Sequence, residues 1–382
     1  MKKWLVPLDD LDYNQRYFIF EEVKKNKNCW IKGFAGCGKS ILLIYALKEK
    51  IEKNPNSNIA VIVFTNSLVN MFELALSELD IEYSCIRVMT YHKFKKQTSS
   101  FDYIFCDEIQ DFPTSVLKEM KRRSNQLYVA GDSNQSIYEC DPQTKEPVVE
   151  SYEINSIIES KTYELVVNHR LSKSIINIVS ELMPRMDFLE EKKSNVKEDI
   201  SVGIYPSETE REEIKYIYKK AREATNADES TAIIFSNKIE VLKFVNAVLE
   251  EESKSRWNEM LNNYNRTNWG SMNGHLYNNN FNIEYIGSQY GDLNKCFRQN
   301  KIILMTYHSA KGLDFENVFL PFLNEQKKFD DETVFMVGIT RSKRNLTLSY
   351  SGSMHKFLKR IEEKCENLKY EENIEVEDDF PF

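Results

Sequence analysis

The feature that most constrains this chain is the octapeptide Gly33-Phe34-Ala35-Gly36-Cys37-Gly38-Lys39-Ser40, which fits the spacing G-x-x-x-x-G-K-[ST]. It follows an apolar run at Cys29–Lys32. It precedes Ser40–Lys53, where Ile41, Leu42, Ile44, Tyr45, Leu47 and Ile51 recur at helical spacing. A strand, a glycine-rich turn and a helix in that order make a cradle for phosphates. Glycines let backbone N–H groups wrap an anion with no Cβ in the way. The helix start adds its positive end. Lys39 supplies a point charge for the outer phosphates and Ser40 a hydroxyl for Mg²⁺. The pattern predicts an ATP site built from Gly33, Phe34, Ala35, Gly36, Cys37, Gly38, Lys39 and Ser40, with Mg²⁺ as its cofactor. Cys37 reads as a small residue that fits the turn.

The rest of the first half continues the same rhythm. Short, unbroken apolar runs at Ile59–Phe64, Cys85–Thr90, Tyr103–Asp107 and Leu127–Gly131 read as strands buried on both faces. Alternation with helical stretches argues for a parallel sheet. Further strands are expected at Glu164–Val167, Ser201–Tyr205, Thr231–Phe235, Asn282–Ile286, Ile302–Thr306, Val318–Phe322 and Leu346–Tyr350. The expected organisation is two α/β domains, 1–160 and 161–370. The Asn-rich stretch 251–280, with Trp257 and Trp269, reads as a surface insertion. Residues 371–382 lack apolar periodicity and read as a disordered acidic tail.

Composition narrows the class. The chain has 382 residues, 41% of them hydrophobic, enough for two cores. No apolar run is long enough to span a bilayer, and no leader-like segment opens the chain, so a cytoplasmic, membrane-free protein is expected. The seven cysteines show no Cys-x-x-Cys spacing, which argues against a zinc site or a disulfide framework. Net charge is −8. The deficit is concentrated in Glu371, Glu372, Glu375, Glu377, Asp378 and Asp379, so the body without them is close to neutral and compatible with a basic groove.

The run Tyr103-Ile104-Phe105-Cys106 ends in Asp107-Glu108. An acid at a strand end beside a phosphate loop suits Mg²⁺, and its neighbour suits orienting or deprotonating the attacking water. Asp107-Glu108-Ile109-Gln110-Asp111 goes further and resembles the D-E-x-Q-D motif of superfamily 1 helicases of the UvrD/Rep type. Other segments resemble that family's motifs in order: Leu11-Asp12-Tyr13-Asn14-Gln15, Val63-Phe64-Thr65-Asn66, Thr90-Tyr91-His92-Lys93-Phe94, Gly131–Tyr138, Asn168-His169-Arg170-Leu171-Ser172, Thr306–Phe315 and Val337–Ser342.

The resemblance implies two RecA-like P-loop domains, α/β with parallel sheets flanked by helices, and ATP in the cleft between them. It implies that Gln15 reads adenine and that Gln135 senses the γ-phosphate. Arg170 and Arg341 are implied to reach across from the second domain. Asp314 stands at an ATP-site position where Glu is usual. The catalytic set is then Lys39, Asp107, Glu108, Gln135, Arg170 and Arg341, with Ser40 and Asp107 on the metal. Phe64, Thr65, Asn66, Tyr91, His92, Thr306 and His308 match positions that contact single-stranded DNA. For Phe64 and Tyr91, core packing is an equal alternative. Translocation from 3′ to 5′ is implied by the resemblance alone, and RNA is left open as the track.

The chain also departs from that family. His92 and Asp107 are too close to hold the usual large subdomain, and Ile286–Thr306 leaves no room for the second one. The usual aromatic and arginine after Gln-Ser-Ile-Tyr are replaced by Glu139-Cys140-Asp141-Pro142. A stacked base is worth about 1–3 kcal/mol, so weak grip and poor unwinding are expected, with two acids adding repulsion. A partner protein that completes the motor is one expectation. An ATP-gated sensor or recruiting module in a DNA-repair or phage-defence complex is the alternative. The end Asp378-Asp379-Phe380-Pro381-Phe382 resembles the C-terminal tip of bacterial single-stranded DNA-binding proteins, and reads as either a protein-binding tail or a solvated one.

Overall fold

Every ladder within the two main sheets is parallel, so each strand needs cover on both faces. The computed structural model describes residues 4–81, 84–132, 135–141, 144–184, 193–194, 199, 201–258, 260–261, 266–287, 290–326 and 331–369. The first sheet holds β1 (Cys29–Gly33), β2 (Ile59–Val63), β3 (Ile86–Thr90), β4 (Phe101–Cys106), β5 (Ser124–Gly131) and β6 (Lys161–Leu165), in the order β3-β2-β4-β5-β1-β6. A short ladder pairs β7 (Val167–Asn168) with β8 (Lys193–Ser194). The second sheet holds β9 (Ser201–Ser207), β10 (Thr231–Phe235), β11 (Ile283–Tyr285), β12 (Ile302–Thr306), β13 (Phe315–Leu320), β14 (Ser342–Ser351) and β15 (Glu366–Asn367), in the order β11-β12-β10-β13-β14-β9-β15. All five residues of β2, β10 and β12 are buried, as strands covered on both faces require. These are two RecA-like α/β domains.

Two expectations change. The first sheet takes its last strand from beyond residue 160: β6 pairs with β1 from Cys29↔Lys161 to Gly33↔Leu165. Stretch 251–280 is not a surface insertion. Trp257, Trp269, Met272 and Leu276 are buried in the second domain's core, and Trp269–Asn278 is a helix. The helical spacing of Trp269, Met272 and Leu276 sets the buried face, and two amides tie the stretch down. Asn246 Oδ1 accepts from Trp257 N–H at 2.9 Å, and Asn273 Oδ1 accepts from Tyr285 N–H at 2.8 Å. The acidic tail, including Asp378, Asp379, Phe380, Pro381 and Phe382, lies outside the described residues.

The compact form follows from two short connections. Helix Tyr91–Lys95 leads straight to β4, and only helix Leu293–Arg298 is described between β11 and β12. That helix packs against Asn66–Glu78 of the first domain, and Asn294 Nδ2 donates to Asn70 O at 3.1 Å. The two domains therefore meet directly through this helix.

Candidate functional site

The phosphate loop runs from the end of β1 into helix Lys39–Lys53. Gly36 and Gly38 sit at φ +87° and +90°, the left-handed region that favours glycine. A Cβ on Gly38 would lie 2.5 Å from Gln15 Nε2, and one on Gly36 would lie 2.7 Å from Asn168 Oδ1. The loop is thus closely wrapped by its neighbours. Lys39 is buried and folded into the loop, donating to Gly33 O at 2.7 Å and Phe34 O at 3.0 Å.

Next to the loop, Ser40 Oγ donates to Asp107 Oδ2 at 2.5 Å. Asp107 and Glu108 are buried side by side at the end of β4, with Glu108 at φ 56°. Burial and the Glu108 charge push the Asp107 carboxyl well above the usual range. Burial also opposes charge on Glu108, but Lys311 and Lys39 outweigh it and hold that carboxyl below the usual range. The two neighbouring carboxyls are thus pushed in opposite directions, Asp107 towards its protonated form and Glu108 towards its ionised form. From Glu108 a relay leads away: Gln110 Nε2 donates to Glu108 Oε2 at 2.5 Å, Asp132 N–H to Gln110 Oε1 at 3.0 Å, and Gln135 Nε2 to Asp132 Oδ2 at 2.7 Å.

The second domain closes on this relay through Lys311. Its ammonium pairs with Asp111 at 2.6 Å and donates to Gln135 O at 2.5 Å, with both charged side chains almost wholly buried. Lys311 lies inside a matched motif, but sequence reasoning gave it no role, because its partner is two hundred positions away in the other domain. Asp314 accepts from Arg170 at 3.2 Å and pairs with Lys343 at 2.5 Å. Arg341 is buried and donates to Val337 O, Leu313 O and Thr340 Oγ1 at 2.8, 3.0 and 2.8 Å. Burial and the nearby Arg170 lower its pKa to about 9. The placement of Arg170 differs from expectation. It belongs to the crossover between β6 and helix Lys173–Leu182, and that crossover is fastened to the phosphate loop.

One cleft of about 750 Å³ is lined by Gln15, Lys39, Ser40, Glu108, Gln135, Arg170, Asp314 and Arg341, a volume suited to a small ligand. Trp4, Leu5, Pro7 and Leu11 form an apolar wall on one side. Sequence reasoning assigned these four no role; only Leu11 lies in a matched motif, and its role there was not read.

The residues matched to nucleic-acid contacts divide into two groups. Phe64 is half-buried and stacks on Tyr138 with ring centroids 4.9 Å apart, while the exposed His308 of the second domain lies 5.6 Å from Tyr138. His92 is half-buried against Tyr91, and Asn66 is half-buried at the start of its helix. Tyr91 instead belongs to the core: it is 1% exposed and its hydroxyl donates to the buried Asp141. Asp141 therefore does not face a strand, and of the two acids near the expected path only Glu139 is exposed. Thr65 and Thr306 use their hydroxyls as helix caps, accepting from Leu68 N–H and Ser309 N–H.

Comparison with known proteins places these features in a family. A family model described as the viral superfamily 1 RNA helicase core domain matches residues 29–253, and one described as the UvrD-like helicase C-terminal domain matches residues 279–353. A probable DNA helicase II homolog of Mycoplasma capricolum is 23% identical over 207 residues, which take in 47% of this chain and 28% of that protein. This chain thus corresponds to well under half of that relative's length. Among solved structures, the arterivirus nonstructural protein 10 helicase is similar at TM-score 0.44 and 12% identity, covering 90% of this chain and 63% of that one. A Pif1 helicase structure on forked duplex DNA is similar at TM-score 0.45 and 12% identity, covering 88% and 91%. With a family model matched over more than half of its length, the chain belongs to superfamily 1 of the helicases, and residues 279–353 resemble the UvrD-like helicase C-terminal domain.

Proposed function

We propose that the chain is an ATP-driven motor, stimulated by single-stranded nucleic acid, that moves 3′ to 5′ and unwinds poorly by itself. The observation that carries this reading is the single cleft in which Lys39, Ser40 and Glu108 of one domain face Asp314 and Arg341 of the other, with Arg170 between them. The residues fit ATP and Mg²⁺. Ser40 and Asp107, already joined by a hydrogen bond, would hold the metal, which when bound neutralises phosphate charge. Lys39 exchanges its loop carbonyls for phosphate oxygens. Glu108 orients the attacking water and accepts its proton. Arg170 and Arg341 stabilise charge on the transferring phosphoryl group.

Gln15 favours adenine. Its Oε1 accepts from Asp12 N–H at 3.0 Å and its Nε2 donates to Cys37 O at 3.0 Å, so the amide cannot flip. One N–H and one oxygen lone pair remain, matching the N7 acceptor and N6 donor of adenine and not the two acceptors of guanine.

Reduced unwinding follows from the compact form and from the altered segment after Tyr138. With no large subdomain described at either usual place, little surface is left to engage a duplex. The lost stacking ring forfeits about 1–3 kcal/mol per base, and the exposed Glu139 adds repulsion. The test is phosphate release by the full chain, with Lys39→Ala as the blank, together with strand separation of a tailed duplex. Release above the blank, preference for ATP over GTP and little strand separation are expected. Processive unwinding of a long tailed duplex by the purified chain alone would contradict the reduced motor.

A further inference from the structure

Three consecutive carbonyls of the phosphate loop each receive a donor from outside it. Ala35 O accepts from Asn168 Nδ2 at 2.6 Å, Gly36 O from His169 N–H at 2.9 Å, and Cys37 O from Gln15 Nε2 at 3.0 Å. A loop that binds an anion through its N–H groups must turn its carbonyls away. Here the outward carbonyls are held, and two of the three donors come from the crossover that joins the domains.

Asn168 is the pivot of this arrangement. It is 3% exposed. Its Oδ1 accepts from Arg170 N–H at 3.0 Å and from Leu171 N–H at 2.7 Å, which fixes the turn carrying the Arg170 side chain. Its Nδ2 is spent on Ala35 O. Oxygen and nitrogen cannot be interchanged, because one end meets two donors and the other an acceptor. The packing is tight as well: a Cβ on Gly36 would come within 2.7 Å of Asn168 Oδ1 and 2.8 Å of Arg170 Cβ.

We propose that Asn168 is a positioning residue that fastens the Arg170 crossover to the phosphate loop, so that loop and arginine move as one unit. The loop is then preorganised before nucleotide arrives, and a change at the loop reaches the interdomain connection through the Asn168 side chain and the neighbouring His169 N–H. The turnover part of this inference rests on the nucleotide reading above, and the loop-ordering part does not.

Asn168→Asp separates the two halves of the residue. A carboxylate still accepts from Arg170 N–H and Leu171 N–H, so the turn survives, but it cannot donate to Ala35 O. Hydrogen–deuterium exchange of the loop segment 33–40 is measured on the nucleotide-free full chain, and ATP turnover alongside it. Exchange is expected to be at least ~5-fold faster in Asn168→Asp than in wild type, beyond any change in the buried strand β12 of the other domain; the carboxylate, buried against the Ala35 carbonyl, also lowers the thermal midpoint. kcat is expected to fall about 10–100-fold, the scale of a small misplacement at a reacting centre. Asn168→Ala is expected to show the same loop exchange with a lower midpoint. Wild-type exchange at the loop, or wild-type kcat, in Asn168→Asp overturns the proposal. If the wild-type chain hydrolyses no ATP, the nucleotide reading fails, and the exchange comparison still decides the role of Asn168.

Discussion

Replacing Glu108 with Gln is expected to lower ATP turnover by about 10²–10⁴-fold, the range a positioned general base supplies, while ATP affinity changes little. The side chain is buried, and Lys311 and Lys39 keep its carboxyl ionised against the cost of burial. It is therefore in the form that accepts a proton at neutral pH. Gln keeps the volume but cannot take the proton. Lys39, Ser40 and Asp107, which would hold the phosphates and metal, are untouched. Single-turnover hydrolysis and equilibrium binding of ATP to the variant separate the two effects. Turnover within a few-fold of wild type would remove Glu108 from the chemistry.

The second large effect concerns stability. Lys311→Met leaves the Asp111 carboxylate 1% exposed and without its cation. Breaking a buried pair from one side costs about 3–5 kcal/mol. The penalty should depend on pH in a set direction. Burial already raises the Asp111 pKa to about 6 with Lys311 in place, despite the pull of that cation. Without the cation it rises further. A carboxyl whose folded pKa lies above its unfolded value binds its proton more tightly in the folded state. Stability is therefore lost as pH rises from the unfolded pKa towards the folded one. Urea denaturation should show a larger deficit for Lys311→Met at pH 8 than at pH 5. Adding Asp111→Leu should recover the share due to Asp111, because a buried apolar pair replaces a buried ion without loss, and leave the share due to Glu108, which also loses the Lys311 charge. An equal deficit at both pH values would mean that Asp111 is not the group left exposed to the change.

What the sequence made legible was local. A glycine-rich turn between a strand and a helix declares itself, because backbone geometry and residue type coincide over eight positions from Gly33 to Ser40. Buried strands such as Thr231–Phe235 and Ile302–Thr306 declare themselves by unbroken apolar composition, and both stand at the expected bounds. The pairings between distant residues were not legible. Nothing near Lys311 indicates that it meets Asp111, and nothing near Asp141 indicates that it turns inward to Tyr91. Arg170 looked like a residue of the second domain because its motif follows the expected boundary. β6 instead extends the first sheet, which leaves Arg170 on the crossover. The stretch around Trp257 and Trp269 looked like a surface insertion because only three apolar residues, Trp269, Met272 and Leu276, keep helical spacing among many polar ones, and asparagine amides on backbone groups, which have no period, do part of the ordering.

The proposed motor depends on a nucleotide cleft that answers to nucleic acid. Its most direct test is the initial rate of ATP hydrolysis by the full chain with and without single-stranded DNA, repeated with RNA and with Lys39→Ala. The predicted result is a several-fold rise with a single strand and no turnover in the variant. Hydrolysis at the same rate with and without either nucleic acid would contradict the motor and favour an ATP-gated sensor. No hydrolysis under any condition would contradict the nucleotide cleft itself.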